Sequence, residues 1–145
     1  LKGKAGVRTA CADGFEAAVT RARSSGSLLI LIDPPFEKSD DYRRIVTTLN
    51  GVVARNPQAV FLIWMPLKDL ETFDAFLRDA EDSYSGSLLV AEARMRPLTD
   101  PMKMNGCALV LANAPAEFAE PLMAICDWTV SRLGDKGQAK VWTAA

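Results

Sequence analysis

The segment Leu29-Ile30-Leu31-Ile32-Asp33-Pro34-Pro35-Phe36 combines residue types whose spacing could do chemistry: an apolar run delivers a carboxylate, two rigid residues and an aromatic ring to one point. An exocyclic amino group conjugated to a ring is a poor nucleophile because its lone pair is delocalised. Asp33 could accept one of its N–H hydrogen bonds and the backbone carbonyl of Pro34 the other. The nitrogen would then be drawn toward tetrahedral geometry, with its lone pair pointing at an electrophile. Pro35 has no N–H and a fixed φ, which stiffens the turn, and Phe36 offers a face on which the modified base could stack. A base reaches such a place only by flipping out of a helix or by arriving in a single strand. The plainer reading is that Asp33 ends a strand, Pro34-Pro35 blocks further pairing and Phe36 packs beneath a loop. The apolar strand before the turn and the aromatic after it weigh for chemistry.

The elements that must position this turn alternate between strand and helix. Residues 5–10 are read as a short strand, and Asp13-Gly14 as a turn before a helix over 15–23 that places Phe15, Ala18, Val19 and Ala22 on one face. Ser24-Ser25-Gly26 stops it. Residues 27–32 are apolar nearly end to end, which predicts a central strand covered on both faces. Ser39-Asp40-Asp41 supplies a capping hydroxyl and two carboxylates to a helix with Tyr42, Ile45, Val46, Leu49, Val52 and Val53 inward, ending before Pro57. A second buried strand spans 59–64, closed by Met65-Pro66, and a helix over 69–83 turns Leu70, Phe73, Phe76, Leu77 and Ala80 to the core. Strands follow at 87–93 and 107–112, separated by a two-proline loop. Pro121 suits the first turn of a last helix with Leu122, Ile125, Cys126, Thr129 and Leu133 inward, and 140–143 adds an edge strand. Such alternation predicts an α/β three-layer sandwich with a mostly parallel sheet, in which ligands gather at the carboxyl ends of the strands.

Composition bounds the function. With 145 residues, 49% hydrophobic, 17 Lys+Arg against 18 Asp+Glu and a net charge of -1, residues 1–145 read as one soluble domain. No histidine is present, which removes Ser-His and Cys-His nucleophilic machinery and the commonest zinc ligand, so no metal is expected. Cys11, Cys107 and Cys126 lack CxxC spacing and read as reduced core residues. No apolar run approaches the roughly 20 residues that cross a bilayer, and the lysines near the start have no apolar segment behind them. A cytoplasmic location is expected, with no membrane contact. Leu1 is not a methionine, so the chain is expected to begin inside a longer protein.

Asp33-Pro34-Pro35-Phe36 resembles the (Asp/Asn/Ser)-Pro-Pro-(Tyr/Phe/Trp) motif of S-adenosylmethionine-dependent amino-group methyltransferases acting on adenine or cytosine. Ala12-Asp13-Gly14-Phe15, Asp41-Tyr42, Trp64 with Pro66, Glu92, and Met104-Asn105-Gly106-Cys107-Ala108 with Asn113 extend the likeness over essentially the whole chain. In order they resemble the RlmJ-type bacterial 23S ribosomal RNA adenine-N6 methyltransferases, over the C-terminal half or so of that family. The resemblance implies a Rossmann-like class I methyltransferase fold, here a partial domain lacking its first two strands. It implies S-adenosylmethionine as cofactor, with Asp13 and Gly14 contacting its adenine and Asp33 close to the transferred methyl group. It also implies ribosomal RNA as partner. Asn113-Ala114-Pro115 imitates the motif but follows the strand that is antiparallel in this fold, so it is read as a decoy. The loop 94–106 falls on the functional edge, making Arg94, Arg96 and Lys103 candidate phosphate contacts. Arg21, Arg23, Arg43 and Arg44 are read as exposed helix faces.

The sequence departs from the family in one respect that bears on activity. No G-x-G follows an expected strand, and the acidic residue expected on the cofactor ribose is missing with it. The strands at 5–10 and 27–32 would flank the two missing ones, leaving a hole in the sheet that a second chain or an N-terminal half would fill. Two functions therefore compete: adenine-N6 methyl transfer, with DNA or glutamine as alternative acceptors, and a noncatalytic module that binds RNA or a partner chain.

Overall fold

Burial along β2 (Val60–Leu67) shows how the sheet is assembled: Phe61, Ile63, Met65 and Leu67 are each at most 1% exposed and face one layer of helices, while Leu62 turns to the opposite layer. A period of two is what a strand covered on both sides requires. The computed structural model describes residues 6–23, 26–99 and 103–144. Within them lie α1 (Gly14–Arg21), β1 (Leu29–Ile32), α2 (Asp41–Val53), α3 (Leu70–Ser83), β3 (Leu88–Arg94), β4 (Gly106–Ala112), α4 (Ala119–Leu133) and β5 (Gln138–Ala144).

The strands form one five-stranded sheet in the order β1-β2-β4-β3-β5. Helices α2 and α3, with α1 outside them, cover one face through Ile45, Leu49, Val52, Phe73 and Phe76, and α4 covers the other through Leu122, Cys126 and Val130. The result is a three-layer α/β/α arrangement. Emptying the space of a side chain such as Phe61, which has no exposed surface, would cost about 3–5 kcal/mol. No helix among the described residues is long and apolar enough to cross a membrane.

Several expectations are corrected. The sheet is not mostly parallel: only β1–β2 is parallel, and β2–β4, β3–β4 and β3–β5 are antiparallel. Period-two burial carries no information on direction, which is set by the connections: the loop after β3 reverses the chain into β4, and the crossover through α4 keeps that reversed direction for β5. Residues 6–10 form no strand, and residue 5 lies outside the described residues, so the sheet has an open edge at β1 rather than an internal hole. That edge also overturns the reading of 27–32 as central and doubly covered, since Leu29 and Leu31 are each 66% exposed. Strand β2 runs through Met65-Pro66 to Leu67; β1 pairs only as far as Ile63, so at Pro66 no β1 partner is waiting for an N–H. In α4, Ile125 and Leu133 point outward at 57% and 72% exposure, and in α3 Leu70 is 39% exposed. Cys11 is exposed and Cys107 half-buried, leaving Cys126 as the buried thiol. At α2 the Ser39 and Asp40 side chains cap nothing; the buried Asp41 carboxylate instead accepts from the Lys38 N–H at 3.2 Å.

Strand directions decide where a site can be. β1, β2 and β3 run the same way and β4 and β5 the other, so the ends of β1 (Ile32), β2 (Leu67) and β3 (Arg94) share one sheet edge with the starts of β4 (Gly106) and β5 (Gln138). Asn113 lies at the opposite edge. Its Nδ2 donates to the Pro57 and Ala59 carbonyls at 2.7 and 3.2 Å, which makes it a clamp between β4 and the start of β2.

Candidate active site

Asp33 leaves β1 at the carboxyl edge, exposed, and its carboxylate accepts no hydrogen bond among the described residues. Pro34 is half-buried and Pro35 exposed. Phe36 then adopts φ 53, a left-handed conformation that a bulky non-glycine residue reaches only at a cost of about 1–3 kcal/mol. Aromatic packing holds it there: its ring centroid lies 5.2 Å from Tyr42 and 6.1 Å from Trp64, and Tyr42 is backed by Phe76 at 6.2 Å. Burial, helped by Asp69 and Asp41, pushes the Tyr42 phenol up from its ordinary value, so it stays protonated and behaves as part of the packing.

Helix α1 brings the second sequence motif to the same place. Asp13 caps it, its Oδ1 accepting from the Phe15 and Glu16 N–H groups at 3.0 and 3.2 Å. Its Oδ2 pairs with Arg44 of α2, whose guanidinium also sits 4.4 Å from the centre of the Phe15 ring. The hydrogen bond from Arg44, followed by that from Glu16, holds the Asp13 carboxyl below the usual carboxylate range. A Cβ on Gly51 would lie 3.2 Å from the Val19 side chain, so glycine lets α1 approach closely, and Arg55 donates to the Val19 carbonyl at 2.6 Å, fastening α1 along α2. Arg44 is therefore no idle surface charge.

Two clefts result. One, of about 270 Å³, lies between α1 and β1, walled by Gly14, Phe15, Ala18, Ile30, Ile32 and Thr48, with Asp33 and Pro34 at its rim. A smaller one, about 180 Å³, runs from Asp13 and Gly14 to Pro34, Pro35 and Lys38. The structure thus brings Asp13, Gly14, Asp33 and Pro34 together. An apolar slot with a carboxylate at its rim and the buried Thr48 hydroxyl in its wall fits a flat heteroaromatic ring with a polar edge, although both Asp13 oxygens are already engaged in capping and pairing.

Of the basic candidates, Arg94 is held by Glu92, which is 3% exposed and bonds both the Arg94 Nε and Nη2. Arg96 and Lys103 are exposed on the following loop, of which residues 100–102 lie outside the described residues. Asn105, 1% exposed, closes that loop by accepting at its carbonyl from Met95 N–H (2.8 Å) and donating from its own N–H to Leu67 (2.9 Å). Sequence reasoning quoted Glu92, Asn105, Tyr42 and Trp64 only for the family likeness, with Tyr42 also as an inward helix residue, and did not foresee the contacts they make. The spacing of Glu92 and Arg94 on one strand face was a usable signal; the aromatic cluster had none, because its members come from three separate elements. Among the described residues no group of three or more His, Cys, Asp or Glu side chains could hold a metal ion.

Fold and site together define an open α/β sheet protein whose candidate site lies at the carboxyl edge of its parallel strands. Comparison with known proteins narrows the class. The family model described as "Ribosomal RNA large subunit methyltransferase D, RlmJ" matches residues 1–144, and the chain belongs to this family. It is 25% identical over 132 residues to ribosomal RNA large subunit methyltransferase J of Escherichia coli K12, covering 90% of this chain and 47% of that protein. It is 25% identical over 138 residues to the protein of the same name from Haemophilus influenzae, covering 94% and 49%. The chain spans about half the length of these curated relatives. Among solved structures, a protein from Legionella pneumophila superposes with a TM-score of 0.80 at 19% identity, over 92% of this chain and 50% of the other, which establishes the shared fold.

Proposed function

We propose that this chain provides the acceptor side of an S-adenosylmethionine-dependent methyltransferase site, acting on the exocyclic N6 amino group of an adenine in 23S ribosomal RNA. The observation that carries the reading is the Asp33-Pro34-Pro35-Phe36 turn, set at the carboxyl edge with an uncommitted carboxylate and a strained, ring-braced Phe36. Asp33 and the Pro34 carbonyl accept the two amino N–H bonds and turn the nitrogen lone pair outward. Phe36 presents a face to the flipped base, and Pro35 keeps the turn from yielding. S-adenosylmethionine, when bound, supplies the electrophilic methyl group; Gly14, Phe15 and Asp33 are the residues here that would hold it. Arg94, Arg96 and Lys103 contact RNA phosphates. Transfer of labelled methyl from S-adenosylmethionine to 23S ribosomal RNA tests the proposal, with Asp33→Ala expected to lower the rate at least about 100-fold. An Asp33→Ala chain as active as the parent would sink the assignment.

A second reading has its own support. Leu29 and Leu31, each 66% exposed beside the unpaired edge of β1, suit a module that docks onto further polypeptide and contributes RNA binding without catalysis. RNA binding with neither S-adenosylmethionine binding by calorimetry nor methyl transfer would favour it.

A further inference from the structure

The turn between α4 and β5 is built more tightly than a surface connection needs. Gly134 and Gly137 bracket Asp135-Lys136, and a Cβ on Gly137 would lie 2.3 Å from the Arg94 carbonyl, while one on Gly134 would lie 2.5 Å from that of Val130. The Asp135 N–H donates to the Met95 carbonyl at 2.7 Å, pinning the turn to the end of β3. Between these anchors Lys136 takes φ 56, the left-handed region where a lysine is uncommon. The turn thereby places Lys136 beside Arg94 and Arg96. A cavity of about 240 Å³ is lined by these three cations and Gln138, with Pro97 and Leu98 as apolar walls, and no carboxylate lines it among the described residues.

The adjoining larger space, about 800 Å³, shares Arg94, Lys136 and Gln138 with that cavity but adds Glu92 and Asp127 as well as Lys140, and so has mixed charge. The smaller cavity is different. Glu92 fixes Arg94 in place from behind, while Arg96 and Lys136 have no carboxylate partner among the described residues. The ends of β1 and β3 lie three strand spacings apart in the sheet, roughly 14 Å. That separation suits a phosphate flanking the target nucleotide rather than the one it carries.

We propose that Lys136, with Arg96 and the Glu92-braced Arg94, forms a phosphodiester subsite that holds the RNA strand beside the modified adenine. This rests on RNA being the substrate and adds Lys136 and its glycine-bracketed turn to the binding surface. Lys136 acts on RNA affinity and register and takes no part in methyl transfer.

The test is a salt titration of binding between this chain and a fluorescently labelled, adenine-containing single-stranded oligoribonucleotide. Lys136→Gly suits the left-handed backbone and removes the charged side chain without straining the turn. It is expected to weaken binding about fivefold at 0.1 M salt and to make the slope of log affinity against log salt shallower by about 0.7. Arg96→Ala should do the same, and Arg21→Gly, on the outer face of α1, should change neither. Exchanging chloride for inorganic phosphate at equal ionic strength should displace little RNA, since a strand engages several cations at once; full displacement would mark a site for free phosphate and overturn the proposal. So would equal effects of Lys136→Gly and Arg21→Gly, or no RNA binding by the parent chain at 50 mM salt. Loss of methyl transfer in Asp33→Ala with this salt dependence absent would leave the catalytic reading standing and this one refuted.

Discussion

Two turns in this molecule share a local grammar and differ in what they do. Asp33-Pro34-Pro35-Phe36 and Asn113-Ala114-Pro115 each follow an apolar strand, each contains proline, and each places a non-glycine residue in the left-handed region, Phe36 at φ 53 and Asn113 at φ 60. Asn113 adopts that conformation cheaply and uses its amide to bridge two carbonyls. Phe36 adopts it at a cost, held by rings from α2 and β2, while the carboxylate before it is left unengaged. The Asn113 turn uses its polar group to close the structure, and the Asp33 turn keeps its polar group for something else. Strand direction separates them: β1 ends at the edge where β2 and β3 end, and β4 ends where they begin.

The contrast can be broken at either turn. The largest expected effect is that of Asp33→Ala, a drop in methyl transfer of about 100-fold or more with an unchanged urea midpoint, because an exposed side chain without partners contributes little to folding. Asn113→Ala should show the reverse, about 2 kcal/mol lost in urea unfolding, from two hydrogen bonds and a left-handed alanine, with RNA affinity intact. Phe36→Gly is the intermediate case. Relief of backbone strain offsets lost ring packing to within about 1 kcal/mol, yet methyl transfer should fall about tenfold as the base loses its stacking face. A large destabilisation instead would make Phe36 a core residue and weaken the distinction between the turns.

The smallest effect concerns the neighbouring carboxylate, Asp13, which is committed to structure. The Arg44 guanidinium holds its folded-state pKa below the ordinary value of 3.8, so its contribution is present above that value and is lost as pH falls through the depressed folded value. Asp13→Asn should flatten the acid limb of the stability curve below pH 3.8, read by urea unfolding across that range.

Much of the site was legible before any fold was known. The acidic diproline turn, the Asp13-Gly14 motif and the basic loop after β3 all stand out by residue type, and all three fall at the carboxyl edge or beside it. The engagement of these residues was not legible. Asp13 is tied to Arg44, 31 residues away, and Arg94 to Glu92, a pairing that their spacing on one strand face allowed but did not show. Lys136 escaped notice because its importance depends on Gly137 meeting the Arg94 carbonyl, a contact between the end of β3 and the start of β5, which are separated in the chain by β4 and α4.

The sequence by itself determined the core positions Phe73, Phe76, Leu77 and Ala80 of α3, the chemistry available at Asp33 and, apart from a first strand expected at residues 5–10, the alternation of strands and helices. These follow from periodicity and from side-chain functional groups, both local properties. Only the tertiary structure decided that three of the four strand pairings are antiparallel, that β1 is an open edge with Leu29 and Leu31 exposed, and which carboxylates are already occupied. A strand's direction and coverage depend on which partners lie beside it, and a charge's availability depends on what sits within hydrogen-bond reach; neither is encoded in a window of neighbouring residues.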